Sequence, residues 1–144
     1  LGATPKKDHV EILNDIDNIT VIAPHLSYRQ KSYFDYLSKI IEKEKTQGII
    51  GHSLGGYLAY YLSNKHKVPC LLFNPYFGSK TELQPIPEDV FFTKSYPNAI
   101  QMVVIGLDDE YILPENEMTN FKDNGFEIFT EKMGHDIPDD IKIK

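Results

Sequence analysis

Residues 51–56, GHSLGG in one-letter code, constrain the fold of this chain more than any other segment. They come after an apolar run at residues 48–50 and precede an apolar helical pattern, so they lie where a strand turns into a helix. The G-x-S-x-G spacing is typical of a nucleophile elbow, in which a strained turn lifts the serine hydroxyl clear of a sheet. Such a turn brings a neighbouring Cβ into space that only glycine leaves free. The alternative is an ordinary strand-to-helix turn with an incidental serine.

Strand-like and helix-like segments alternate along the chain. Runs of β-branched and apolar residues predict strands at residues 19–23, 47–51, 69–73, 101–105 and 126–129. Apolar residues at three- and four-residue steps predict helices at residues 31–45, from Leu54 onward and at 115–124. This alternation predicts an α/β fold with a mainly parallel sheet and helices on both faces. The 144 residues are expected to form a single compact domain, residues 1–144.

Composition excludes several classes of protein. The formal net charge of −6 argues against a nucleic-acid partner, since phosphate binding requires clustered lysine and arginine. No apolar run approaches the ~20 residues of a membrane span. The one cysteine, Cys70, excludes an internal disulfide and indicates a reducing, cytoplasmic compartment. Because Cys70 lies inside an apolar run, we expect a buried core residue rather than a reactive thiol.

Acidic residues and a histidine come after Ser53 in the order that a serine hydrolase requires. Asp108, Asp109 and Glu110 come after the strand at 101–105, and His135 comes after the last strand. The carboxyl ends of parallel strands meet at one edge of a sheet, where such side chains gather. Taken alone, an acidic run is usually a solvated loop. Together, the order predicts His135 Nε2 within ~3.5 Å of Ser53 Oγ, with Asp109 on His135 Nδ1.

Other histidines compete for the role of base. His25 is the main rival, because it comes after the predicted strand at 19–23 and would lie near the same edge. His52 is expected to diverge from its neighbour Ser53 at the end of a strand, which makes it a poor base for that serine. His66 lies on a predicted helix and is expected to be solvated.

These motifs resemble the α/β-hydrolase fold. The resemblance rests on three segments: the elbow, the GLDDE segment at 106–110 and the Gly134-His135 pair. The Asn74-Pro75 pair makes the resemblance more specific, to the small, nearly lidless bacterial esterases of the YqiA type. The resemblance covers essentially the whole chain. In that family the catalytic acid falls three places after the strand-ending glycine and is followed by Glu. The resemblance therefore implies that Asp109, rather than Asp108, is the acid. It also implies that His135 is the histidine.

The N-terminus departs from this resemblance. Members of the family begin with a short strand ending in His-Gly, and the next residue donates a backbone N–H to the oxyanion hole. Residues 1–5 of this chain resemble the segment directly after that His-Gly pair. We therefore expect the first strand to be missing from the sequence, unless another segment or molecule fills its place. Leu1 is expected to supply one oxyanion donor beside the N–H of Leu54.

The resemblance implies hydrolysis of a carboxylic ester or thioester through an acyl-enzyme on Ser53. No metal or cofactor is expected, and the partner is a small acyl substrate; the oligomeric state stays open. The segment 76–97 shows no sustained period, and loops of that length are uncommon unless they cover a site. Tyr76 and Phe77 are thus expected to line the pocket, although packing against a helix is an alternative. Acyl transfer and non-catalytic binding are the competing functions. A nucleotide-binding α/β domain is disfavoured because no phosphate-loop motif is present.

Overall fold

A computed structural model of the chain describes residues 2–3, 6–27, 33–77, 100–123 and 125–138. The chain divides into two compact units, one formed by Leu1–Tyr33 with Pro138–Lys144 and the other by Phe34–Ile137. The single-domain organisation stays a prediction. The predicted loop at 76–97 lies outside the described residues from position 78 onward.

The first unit contains strand β1 (Gly2–Ala3), helix α1 (Lys7–Asn14) and strand β2 (Leu26–Ser27), and its two short strands pair antiparallel. The strand predicted at residues 19–23 is absent, so that prediction was wrong. Ile19 and Ile22 are 47% and 46% exposed, and their segment joins no ladder among the described residues. β-branched residues favour a strand only where cross-strand neighbours and burial support it.

The second unit carries the remaining predicted elements, each within about two residues of its expected bounds. In chain order they are α2 (Tyr33–Glu44), β3 (Ile49–His52), α3 (Leu54–His66), β4 (Cys70–Phe73), β5 (Gln101–Gly106), α4 (Pro114–Asp123) and β6 (Glu127–Glu131). Strands and helices alternate, as the pattern of apolar residues predicted. The α/β class is therefore confirmed.

The four strands of this unit form a parallel sheet in the order β3-β4-β5-β6. His52 pairs with Phe73, Phe73 with Val104, and Val104 with Phe129, so the carboxyl ends of the strands lie side by side. Every loop that leaves these ends starts at the same edge of the sheet. This register brings residues 53, 74, 106–110 and 132–135 to one edge, although they are far apart in the sequence.

A continuous apolar core joins helices α3 and α4 to the sheet. Leu72 and Val103 are wholly buried in the central strands, and burying a side chain of this size stabilises a fold by ~1.5–3 kcal/mol. The buried members of the cluster are Ala59, Cys70, Leu72, Val103, Ile105, Phe121 and Phe126. Cys70 is 3% exposed, which confirms that it is a core residue. The core holds α3 rigidly against β3 and β4, and so holds the turn between β3 and α3.

Candidate active site

Ser53 occupies a strained turn between β3 and α3. Its φ of 52° and ψ of −121° lie in a region that L-residues other than glycine rarely adopt. Two main-chain hydrogen bonds hold this conformation: Ser53 N donates to Phe73 O at 3.0 Å, and Tyr76 N donates to Ser53 O at 2.9 Å. The strain expected of a nucleophile elbow is therefore present. It turns the hydroxyl of a half-buried serine away from the sheet.

The glycines around the turn are not equivalent. A Cβ at Gly51 would lie 2.7 Å from Ala59 Cβ, closer than real Cβ contacts allow, so the first glycine permits α3 to approach β3. A Cβ at Gly55 would meet nothing within 4 Å. A Cβ at Gly56 would lie 2.7 Å from Pro75 Cβ. The close approach thus requires Gly51 and Gly56, whereas Gly55, the second glycine of the motif, has free space.

His135 bridges Ser53 and Asp109. His135 Nε2 lies 2.9 Å from Ser53 Oγ, and His135 Nδ1 lies 2.9 Å from Asp109 Oδ2. Because the ionised carboxylate only accepts hydrogen bonds, Nδ1 carries a proton and donates it, which leaves Nε2 to accept from the serine hydroxyl. The serine–histidine distance lies within the predicted ~3.5 Å, and Asp109 rather than Asp108 contacts Nδ1, as expected. The arrangement can remove the proton of the serine hydroxyl while a buried anion faces the resulting imidazolium.

Asp109 is held as a buried carboxylate. Its side chain is 1% exposed, and Oδ1 accepts hydrogen bonds from the backbone N–H groups of Tyr111 and Ile112 at 2.8 and 2.9 Å. Burial by itself raises the pKa of Asp109, but hydrogen bonds from His135, Ile112 and Tyr111 outweigh it and lower the pKa below its ordinary value. Asp109 is therefore ionised at neutral pH, with one oxygen fixed by the main chain and the other directed at His135.

A shallow pocket of about 440 Å³ opens above these groups, lined by Ser53, Tyr76, Tyr111 and His135. Tyr111 is 73% exposed, and the centroid of its ring lies 5.2 Å from that of His135. Tyr76 lies where the sequence predicts it, whereas Tyr111 was not expected. Phe77 packs against Tyr57, at 5.6 Å between ring centroids, and against the core. Phe77 thus matches the alternative interpretation of helix packing.

Of the two expected oxyanion donors, Leu54 lies within the described residues and Leu1 does not. Leu54 is the first residue of α3, so its N–H has no acceptor within the helix and lies beside Ser53 at the positive end of the helix dipole. Leu1 lies outside the described residues. The donor at Leu54 is available by position, and the donor at Leu1 stays a prediction.

Two of the rival residues, Asp108 and His52, do not take the places of Asp109 and His135. Asp108 is exposed, while the neighbouring Asp109 is buried against His135. His52 Nε2 lies 2.7 Å from the carbonyl oxygen of His135, so the ring contacts the histidine loop rather than the serine. His66 was expected to be solvated, which was wrong. Its side chain is 10% exposed and Nε2 lies 2.6 Å from Ser38 Oγ.

Asn74 is a site residue whose role the sequence did not predict. It is 1% exposed and comes directly after β4, with Nδ2 2.9 Å from the carbonyl oxygens of both Gly134 and His135. The only signal in the sequence was the position of Asn74-Pro75 after a strand, which served to narrow the resemblance. Its partners are main-chain atoms, which leave no trace in the residue types.

Neither a metal site nor a membrane span is found within the described ranges. No group of three or more His, Cys, Asp or Glu side chains there is arranged to hold a metal ion. None of the helices of these ranges combines the length and hydropathy that crossing a membrane requires.

Comparison with family models identifies the family to which the chain belongs. Residues 6–94 match the model of an uncharacterised protein family (UPF0227), and the chain belongs to this family. The matched segment includes Ser53 and Asn74, and ends before Asp109 and His135. The resemblance drawn from the sequence motifs is thereby confirmed. No curated protein matches the chain.

Among solved structures, the chain is similar to a candidate hydrolase of the alpha/beta superfamily from Xanthomonas campestris pv. campestris. The TM-score is 0.55 at 19% sequence identity. The match covers 73% of this chain and 56% of that structure, so the chain spans little more than half the length of that protein. The likeness shows the fold alone: the described strands and helices follow the α/β architecture of that structure.

Proposed function

We propose that this member of the UPF0227 family is a serine hydrolase that cleaves carboxylic esters or thioesters through an acyl-enzyme on Ser53. One observation carries the proposal: a serine on a strained elbow lies 2.9 Å from a histidine whose other nitrogen is bound to a buried carboxylate. A nucleophile, a base and an orienting acid in mutual contact are the parts that acyl transfer requires. The hydrolase-superfamily fold supports the same reaction class.

In the acylation step, Ser53 Oγ attacks the acyl carbon while His135 Nε2 takes the hydroxyl proton. The negative charge develops on the former carbonyl oxygen, which the N–H of Leu54 is placed to bind. Asp109 keeps Nδ1 protonated and stabilises the imidazolium. Collapse of the intermediate breaks the bond to the leaving alcohol or thiol, which receives the proton from His135 Nε2.

In the deacylation step, water takes the place of the leaving group. His135 removes a proton from this water, which attacks the acyl carbon, and the same proton then returns to Ser53 Oγ. The free acid leaves and the hydroxyl is restored. No step requires a redox partner or any substrate besides the acyl compound and water. Among the described residues, the pocket at Tyr76 and Tyr111 is open, so they leave the serine accessible to both water and the acyl compound.

Labelling with a fluorophosphonate probe tests the nucleophile directly, because the probe phosphonylates an activated serine. We expect one label per chain, located at Ser53 by peptide mass spectrometry, and hydrolysis of short p-nitrophenyl esters. The Ser53→Ala variant is the control and should take no label. An unlabelled, inactive wild-type protein that is folded by circular dichroism would contradict the proposal and favour a binding role.

Transfer to an acceptor other than water uses the same acyl-enzyme. Adding a small alcohol or thiol to the p-nitrophenyl ester assay separates the two reactions, since transfer produces a new ester or thioester while hydrolysis produces the acid. We expect the acid to be the main product, because the open pocket admits water freely. A new ester as the main product at millimolar acceptor would replace hydrolysis with acyl transfer.

A further inference from the structure

The carbonyl oxygen of His135 accepts two side-chain hydrogen bonds. Asn74 Nδ2 lies 2.9 Å away and His52 Nε2 lies 2.7 Å away. A carbonyl oxygen only accepts hydrogen bonds, so His52 donates from Nε2 and Asn74 presents its amide nitrogen rather than its oxygen. The main chain of His135 is therefore held from two sides, by residues next to Ser53 and at the end of β4.

Asn74 uses all of its side-chain hydrogen-bonding groups at this edge of the sheet. The second proton on Nδ2 is donated to Gly134 O at 2.9 Å, and Oδ1 accepts from Gly106 N at 2.6 Å. Its backbone has a φ of 39°, which asparagine tolerates better than most residues. A single amide thus joins the end of β4, the end of β5 and the loop that carries His135.

The loop that carries His135 is held up to Met133, whose carbonyl oxygen accepts a hydrogen bond from Asp108 N at 3.1 Å and which is 4% exposed. Gly134 offers no side chain, and the contact between Asp109 and Nδ1 fixes the rotation of the ring rather than the location of the main chain. The loop also lies very close to β5, because a Cβ at Gly106 would come within 2.6 Å of Met133 O. Because the loop and β5 are this close, the hydrogen bonds to residues 134 and 135 set the position of the His135 main chain, and with it the position of the imidazole ring.

We propose that Asn74 and His52 are positioning residues that hold the main chain of His135 so that its ring reaches Ser53 and Asp109 together. We call this pair of contacts the carbonyl clamp. The proposal rests on the proposed function, since the position of His135 matters for catalysis only if His135 is the base. Neither residue touches the reacting atoms, so each acts through His135. A displacement of ~1 Å in such a group can reduce a rate about 100-fold.

Two substitutions each remove hydrogen bonds of the carbonyl clamp, and a third keeps one of these bonds. Asn74→Ser removes both Nδ2 donors, and His52→Leu removes the other donor. His52→Gln keeps an amide N–H near the position of Nε2. We expect kcat on p-nitrophenyl acetate to fall about 100-fold for Asn74→Ser and about 10-fold for His52→Leu, with KM within about twofold. His52→Gln should recover most of the activity that His52→Leu loses.

Asn64 supplies a matched control for a buried amide. It is 1% exposed on α3, and its Oδ1 accepts a hydrogen bond from Gln101 Nε2 at 3.0 Å, at the start of β5. Asn64→Ser removes a comparable buried bond at the opposite edge of the sheet. Its midpoint of urea unfolding should fall, by less than that of Asn74→Ser because one hydrogen bond is lost rather than three, while kcat stays within about twofold of wild type. An equal loss of kcat in both variants would assign a merely structural role to Asn74.

A spectroscopic readout keeps the clamp testable apart from activity. The Nδ1 proton between His135 and Asp109 should give a downfield proton resonance, identified by its absence from Asp109→Asn. We expect this resonance in wild type and His52→Gln, and its loss in Asn74→Ser and His52→Leu. A wild-type protein that shows the resonance but takes no fluorophosphonate label would contradict the proposed function and leave the clamp standing. A resonance and a kcat unchanged in folded Asn74→Ser and His52→Leu would overturn the clamp.

Discussion

Two serine–histidine pairs lie among the described residues of the second unit, and only one of these two has the surroundings of a nucleophile. Ser53 Oγ is 2.9 Å from His135 Nε2, and Ser38 Oγ is 2.6 Å from His66 Nε2. The second pair even has an acid, since Glu42 Oε1 lies 3.9 Å from His66 Nδ1. The shorter contact therefore belongs to the pair whose serine is buried. The distance between serine and histidine does not by itself identify a catalytic pair.

The two pairs differ in access and in the acid. Ser38 is 4% exposed within helix α2, whereas Ser53 lines an open pocket on a turn with a φ of 52°. Glu42 has a side chain that is 66% exposed, so water screens its charge. Asp109 has a side chain that is 1% exposed, and two backbone N–H groups fix it. A serine that lines a pocket beside a buried acid indicates chemistry, and a buried serine with an exposed acid indicates packing between helices.

The largest expected difference is in activity after removal of each hydroxyl. Ser53→Ala should lower kcat about 10⁴- to 10⁶-fold, because the nucleophile is lost and only binding and oxyanion contacts remain. Ser38→Ala should leave kcat within about twofold of wild type. Hydrolysis of p-nitrophenyl acetate measures both. A large loss of kcat in a folded Ser38→Ala protein would make the helix pair part of the reaction.

The second largest difference in kcat is expected when the acid of each pair is replaced. Asp109→Asn should lower kcat about 10³- to 10⁴-fold, because the amide favours the wrong tautomer of His135 and cannot stabilise the imidazolium. Glu42→Gln should have no measurable effect on kcat, since the carboxylate is exposed and only loosely paired. Steady-state kinetics of the two variants at pH 8 provide the test. Equal rates for Asp109→Asn and wild type would remove Asp109 from the mechanism.

The same substitution should change stability in opposite directions at the two serines. Ser53→Gly should stabilise the fold by about 1 kcal/mol, because glycine adopts the strained turn without steric cost. Ser38→Gly should destabilise it by about 2 kcal/mol, through lower helix propensity and loss of the hydrogen bond to His66. Urea unfolding of both variants measures the free energies. Shifts of the same sign would mean that the turn at Ser53 stores no strain.

The smallest effect is in the dependence of stability on pH. Burial, and then the charge of Lys65, lowers the pKa of His66 below its ordinary value of 6.5, against a smaller raising effect of Glu42. The pKa of Asp109 is lowered from 3.8. In each case the unfolded chain binds more protons, so stability falls as the pH drops, below 6.5 for His66 and below 3.8 for Asp109.

Urea unfolding midpoints between pH 8 and pH 3 should show these two windows separately. We expect His66→Gln to flatten the upper window and Asp109→Asn to flatten the lower one. Each variant serves as the control for the other. An upper window that is unchanged in His66→Gln would remove His66 from the pH dependence of stability.

The sequence predicted the elbow and the order of the acid and the histidine because both depend on local rules. A strained turn needs glycine two places before Ser53, and parallel strands bring their carboxyl ends to one edge. The clamp at Asn74 could not be predicted, since its partners are main-chain groups of residues distant in sequence. The prediction of a strand at 19–23 was wrong because β propensity depends on neighbours that the sequence does not specify. The packing of His66 against Ser38 depends on how two helices lie together, which periodicity alone does not determine.

The single cysteine provides a kinetic reporter for the centre of the sheet. Cys70 begins β4, is 3% exposed, and has a pKa raised by burial, against a smaller lowering effect of Ser63. A thiol in this state reacts only when the strand opens, so the rate of modification by a soluble disulfide reagent measures that opening. No background thiol has to be removed first, because the sequence contains no other cysteine. Since β4 lies between β3 and β5, the reagent reads the opening of the strand that ends one residue before Asn74.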